Sequence, residues 1–190
     1  MAFVFVSGDL ALDFVGTLKW RRDAPEEQLT APAEAARWAV AAGVLTEPPQ
    51  VSPAEFTQLL DLREAVYRLV RASLCGQPWP AADVDTVNAL ADGPAPRVTL
   101  STTGLVRRGS GAAVAAVISR AAADLLAQCG ELRLKECERE RCTRLFVDRS
   151  RTGNRRWCGM AECGNRVKAA HYRARKAGAG TTTAWEPANG

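Results

Sequence analysis

Apolar positions recur along this chain mostly at helical spacing, with only a few short alternating runs, so the pattern predicts a succession of amphipathic helices. Residues 3–18 begin as a short extended piece and turn at Ser7-Gly8-Asp9. They then enter a helix carrying Leu10, Leu12, Phe14 and Val15, with Asp9 or Ser7 placed to cap its first N–H groups. Residues 19–30 are polar, contain Pro25 and read as loop. Pro32 opens a second helix, where its missing N–H has no helical partner in any case; Ala35, Trp38, Ala39 and Ala42 form the apolar face and Gly43 the stop. Ser52-Pro53-Ala54-Glu55 has capping-box spacing. The helix behind it carries Phe56, Leu59, Leu60, Leu62, Ala65, Val66, Leu69 and Val70, and Arg63, Arg68 and Arg71 are assigned to its solvated face rather than to an anion site. After a turn at residues 76–80, a shorter helix runs through Val84, Val87 and Leu90. Residues 97–100 and 104–107 alternate around a turn as a small hairpin, and residues 112–129 form an Ala-rich buried helix. Cys75 and Cys129 read as structural thiols.

Beyond residue 130 the pattern changes. Residues 132–135 and 145–147 read as two short strands, Asp148-Arg149-Ser150 as the turn out of the second, and residues 164–176 as a terminal helix. Four of the six cysteines punctuate this stretch: Cys137-x4-Cys142, fifteen intervening residues, then Cys158-x4-Cys163. Two such short loops bring four soft thiolates onto one tetrahedral Zn²⁺, and a full shell of four sulfurs leaves no position for water or substrate, so the site is structural. The alternatives are two local disulfides or four unrelated buried thiols. A chain without a leader points to a reducing compartment, where paired cysteines favour metal. Trp157 is expected to pack over the knuckle, since so small a module has little core of its own. His171, the one histidine, stands on the terminal helix and is not expected to be a ligand.

Cys163-Gly164-Asn165-Arg166, preceded by Arg156-Trp157-Cys158 and by residues 146–150 (Phe-Val-Asp-Arg-Ser), resembles the CGNR zinc finger. Residues 8–14 (Gly-Asp-Leu-Ala-Leu-Asp-Phe) resemble the opening of the ABATE domain that accompanies such fingers in bacterial proteins. The resemblance implies a stress-associated bacterial transcription regulator. One departure stands out: Val15-Gly16-Thr17 occupies the place of an expected Asn-Thr pair. For Asp13 two readings stand: an exposed or capping carboxylate on an amphipathic helix, or, leaning on the resemblance, a carboxylate facing a ligand in a helical sensor pocket.

Charge sharpens this division. Residues 131–176 hold 14 Lys/Arg against 6 Asp/Glu, while the remainder holds 11 against 15. A mildly acidic body thus carries a basic module, an asymmetry suited to a polyanion. No apolar run reaches the roughly eighteen residues that a bilayer requires, and the N-terminus lacks a basic leader region, so a cytoplasmic location is expected. The expected fold class is mainly α: a multihelical N-terminal domain with a small β-hairpin (residues 1–130), a small zinc-stapled strand–loop–helix module (131–178) and a flexible tail (179–190).

The candidate nucleic-acid contacts are Arg149, Arg151, Arg155 and Arg156 on the loop, and Arg166, Lys168, Arg173 and Arg175 on the terminal helix, whose N-terminus adds free N–H groups suited to phosphate. Against DNA contact stands a solvated basic surface that merely supports the zinc fold. Asn165 and Arg166 stand two and three residues after the expected ligand Cys163 and are also candidates for helix capping or for bonding a thiolate. The leading expectation is a zinc-containing DNA-binding regulator, with an effector-sensing body and a homodimeric state that would double the contacts on a palindromic site. The alternative is a protein- or RNA-interaction module. With the zinc shell full and no nucleophile–base pair or cofactor loop in view, no enzymatic activity is expected.

Overall fold

A computed structural model describes residues 2–179, without the side chains of Glu162, His171, Ala174, Arg175 and residues 177–179. The expected tail therefore lies, but for the backbone of Ala179, outside the described residues, and so does Trp185. The elements follow one another as α1 (Leu10–Val15), β1 (Leu18–Lys19), β2 (Glu26–Glu27), α2 (Pro32–Ala41), α3 (Pro53–Leu74) and α4 (Ala81–Ala91). After these come β3 (Arg97–Ser101), β4 (Gly104–Arg108), α5 (Gly111–Ala127), β5 (Leu134–Glu136), β6 (Leu145–Val147), a π-turn (Met160–Gly164) and α6 (Asn165–Ala179). The mainly α class holds, with each pair of strands forming a two-stranded antiparallel ribbon.

The core forms where α1 lies against α3 and α5, with α2 and α4 packed around them. Asp9 caps α1 by accepting from the N–H groups of Ala11 and Leu12, and Leu12, Phe14 and Val15 are then almost fully buried. Phe14 packs against Trp38 of α2 with ring centroids 4.9 Å apart. Each such large apolar side chain, fully buried, contributes roughly 1.5–3 kcal/mol. Ser52 and Glu55 form the full capping box at the start of α3, and Glu55 also accepts from the Ala112 N–H at 2.9 Å, tying the start of α5 to that of α3. Gly16, at the departure from the family pattern, faces Arg144: a Cβ there would lie 2.9 Å from Nη1.

Two expectations fail on burial. Of the α3 arginines, Arg68 is exposed as expected and Arg71 is partly exposed, but Arg63 does not lie on a solvated face. Arg63 is buried and grips both oxygens of Glu27 at 2.6 and 2.7 Å, while also donating to Thr17 Oγ1 at 3.2 Å. Arg68 holds Asp83 of α4 at 2.5 and 2.8 Å, and Arg71 reaches Glu136 of β5. A guanidinium that supplies a rigid fork of donors can cross an apolar face when a carboxylate waits on the far side. The stretch 19–30 is likewise more than loop. It contains the β1–β2 ribbon and returns Gln28 and Leu29 to the interior, because Glu27 is the partner of Arg63.

The zinc module is built onto this core through β6. Leu145 and Val147, 0% and 2% exposed, belong to the main apolar cluster, whereas Phe146 between them packs with the four cysteines. Alternation along three residues therefore makes β6 a wall shared by two cores. The N-terminal residues form a strap along the same junction. Ser7 O accepts from Val147 N at 2.8 Å, Val6 O from Arg155 Nη2 at 2.7 Å, and Val4 O from Arg144 Nη1 at 3.0 Å. Asp13 on α1 holds the strap from the other side, Oδ1 accepting from the N–H groups of Val6 and Ser7 at 3.0 and 2.9 Å.

Candidate metal centre and its basic surface

The first knuckle is closed by one backbone bond and tied to the second by another. Cys137 N donates to Arg144 O, and Glu138 N to Arg156 O, both at 3.0 Å. The second knuckle closes through the π-turn, in which the N–H groups of Cys163 and Gly164 both reach Gly159 O. Four sulfurs converge as a result, all within 4.8 Å of one another, with Cys142–Cys158 at 3.8 Å and Cys158–Cys163 at 3.6 Å. Tetrahedral Zn²⁺ with bonds of about 2.3 Å sets its sulfurs about 3.8 Å apart, so the donor set and its spacing fit one zinc ion. All four cysteines are buried and none is in a disulfide.

The electrostatics of the cluster call for a cation. Hydrogen bonds from neighbouring thiols, Cys142 first, push the Cys137 thiol far below the ordinary thiol range; the Cys137 sulfur in turn holds Cys142 and Cys158 far above it. Four sulfurs at this distance cannot all ionise unless an ion compensates them. Backbone and side-chain donors favour the thiolate form: Cys158 N donates to Cys137 Sγ at 3.4 Å, and Arg139 Nη1 to Cys163 Sγ at 3.9 Å. Trp157, as expected, packs against the cluster, together with Val6 of the strap.

The expected nucleic-acid residues divide. Arg155 is structural. Its guanidinium stacks on the Phe146 ring at 4.4 Å and donates to the carbonyls of Val6, Trp157 and Cys158, the last a residue of the metal set. The expectation that it lies out on the loop is thus corrected; a cation beside buried carbonyls binds inward. Arg149 is exposed and donates to Gly8 O at 3.2 Å. Arg156 is exposed, paired with Glu138 at 2.5 Å and lying 5.5 Å over the Trp157 ring. Arg151, Arg166, Lys168 and Arg173 are exposed; the Arg175 side chain lies outside the described residues. Asn165 is also exposed, at the first position of α6. Along α6 Val167 is half-buried and Ala170 is exposed.

Asp13 is committed to the strap. A cavity of about 180 Å³ between the body and the knuckles is lined by Lys19, Trp20, Glu26, Arg139, Thr143 and Arg166 among others, and Asp13 is not among its lining residues. The residue that sequence reasoning passed over is Asp148. Its carboxylate, fully shielded, accepts from Lys135 Nζ at 2.7 Å, Arg155 N at 2.9 Å and Ser150 N at 3.0 Å. The Lys135 ammonium, first among these donors, holds it well below the usual carboxylate range. An Asp leaving a strand two residues before a Ser was the available signal, since that spacing suits an Asx turn.

Among the described residues no helix is long and apolar enough to cross a membrane. No curated protein matches the chain. Residues 133–176 match the model of the CGNR zinc finger, and residues 8–128 match the ABATE model, described as "putative stress-induced transcription regulator". The second match covers well over half of the 190 residues, and the chain belongs to the ABATE family, with a CGNR zinc finger following its family domain.

Proposed function

We propose that this protein is a DNA-binding transcription regulator without enzymatic activity, in which the four-cysteine zinc site holds a basic surface in shape and the helical body senses a signal. The observation that carries the reading is the exposed set Arg151, Arg156, Arg166, Lys168 and Arg173, displayed on the loop before the second knuckle and on the helix after it. Lys and Arg on a metal-fixed loop and helix can meet phosphates at set positions, while Asn165 at the head of α6 can reach a base edge. One such helix spans little more than a half-site, so a two-fold dimer on a palindromic operator completes the reading.

The test is a selection from sheared genomic DNA with zinc-loaded protein, with Cys163→Ser alongside, at moderate salt and with competitor DNA. Enrichment of a discrete motif that is lost in the variant is the expected result. A well-folded wild type that enriches no motif, and binds a protein or RNA instead, would refute the reading.

A further inference from the structure

A second cavity, remote from the metal, lies where α1, the turn after α2, the β3–β4 ribbon and α5 meet. Leu10, Val44, Pro96, Val98 and Val117 line it, and its volume of about 400 Å³ falls within the range of roughly 300–1,000 Å³ usual for small-molecule sites. Its lining holds two charged residues, Arg107 and Arg120, and no carboxylate. Among the described residues neither guanidinium has an acidic partner. Arg120 donates to Gly93 O at 2.6 Å, whereas the neighbouring Arg108 is taken up by Glu47.

The ribbon extends this groove. Val98 pairs with Arg107 and Leu100 with Leu105, so all four share one face of the ribbon. Val98, Leu100 and Leu105 are 58%, 80% and 40% exposed, leaving an apolar strip that runs on from the groove. A contiguous exposed strip of this kind suits a binding surface. Apolar floor, apolar extension and two lining cations without an acidic partner among the described residues are complementary to a molecule with an apolar body and one negative head.

We propose that this groove binds a small amphipathic carboxylate, its tail along Val98, Leu100 and Leu105 and its head on Arg107 and Arg120. This names the effector class of the regulator and to that extent rests on that reading. The groove also has a route to the zinc module. Leu10 lines it, and Asp13, one turn further along α1, holds the strap residues whose carbonyls are bonded by Arg155 and Val147. A ligand that shifts α1 therefore acts on the junction of body and finger.

Calorimetric titration of the zinc-loaded full chain, without DNA, separates this proposal from the regulator reading. Octanoate is expected to bind, and octylammonium to bind at least about tenfold more weakly. Arg107→Met and Arg120→Met should each weaken octanoate about tenfold or more, the loss of one charge-assisted hydrogen bond, with Arg120→Lys recovering part of it. Thermal melts confirm that the variants fold. Equal binding of octanoate and octylammonium, unchanged octanoate affinity in both Met variants, or no octanoate binding at millimolar concentration would overturn the proposal. Binding of an acidic amphipathic peptide in place of octanoate would overturn it in favour of a protein partner.

Discussion

Arg155 separates two accounts of the basic loop. As a phosphate contact, its loss would leave the fold intact and lower the slope of log affinity against log salt by about 0.9. The structure gives it a different task. Replacing it with Met removes donors from the carbonyls of Val6, Trp157 and Cys158 and removes a cation from the face of Phe146. Hydrogen bonds to a charged group are worth roughly 1.5–3 kcal/mol each and the ring contact roughly 0.5–2 kcal/mol. The terms are not additive for a half-buried group, and about 3 kcal/mol is a fair expectation for the whole. In a chain of 190 residues that lowers the unfolding midpoint by about 6–12 °C. Calorimetry at saturating zinc reads the midpoint, and competition with a zinc chelator reads the hold on the metal, which should weaken because Cys158 O loses its donor. Arg151→Ala is the control on the same loop. Its side chain is exposed, so its stability should stay within about 0.5 kcal/mol of wild type while the salt slope falls. An Arg155→Met protein that melts like wild type and loses only salt slope would refute the structural assignment.

Three further outcomes follow from buried charge and backbone. Arg63→Met removes the guanidinium from Glu27 and Thr17, leaving the Glu27 carboxylate only the Leu29 N–H, and should cost about 3 kcal/mol in urea unfolding; a loss under about 1 kcal/mol would mean that the ion pair is dispensable. Asp13→Ala frees the N–H groups of Val6 and Ser7, so their amide exchange should accelerate with zinc still bound, whereas Asp13→Asn, which keeps an acceptor, should restore protection; equal exchange in all three proteins would contradict the clamp. Asp148 has a depressed folded-state pKa, so its contribution is complete above the ordinary carboxylate pKa of about 4 and disappears as pH falls through the lower folded value. The stability gap between wild type and Asp148→Asn should therefore be flat from about pH 6 to 8 and narrow only in acid, and a gap that widens in acid would contradict it.

Local signals carried much of this architecture. The capping box at Ser52, the Asp9 cap, Pro32 at a helix start and the paired alternation of β3 and β4 are all short-range chemistry, and each element stands where that chemistry put it. The cysteine spacing led directly to the metal set. Contacts between distant segments were not legible in this way. Arg63 lies between Leu59 and Val66 on the apolar stripe of α3, which hinted at burial, but its partner Glu27 sits in a stretch whose polarity reads as loop. Arg155 resembles its exposed neighbours Arg151 and Arg156 in sequence, and only the strap from residues 4–8, more than 140 positions away, turns it inward. Charge density indicated a basic surface; which cations stay outside depends on carbonyls that no periodicity reveals.

The central claim is that zinc holds an outward-facing set of cations for DNA. It is tested most directly by measuring the affinity of the zinc-loaded protein for its selected operator across a range of salt, alongside Lys168→Ala and Arg173→Ala. If four of the exposed cations meet phosphates, the log–log slope is about −3.6, and each substitution makes it shallower by about 0.9 without moving the melting midpoint. A slope near zero, or substitutions that leave it unchanged, would contradict the account.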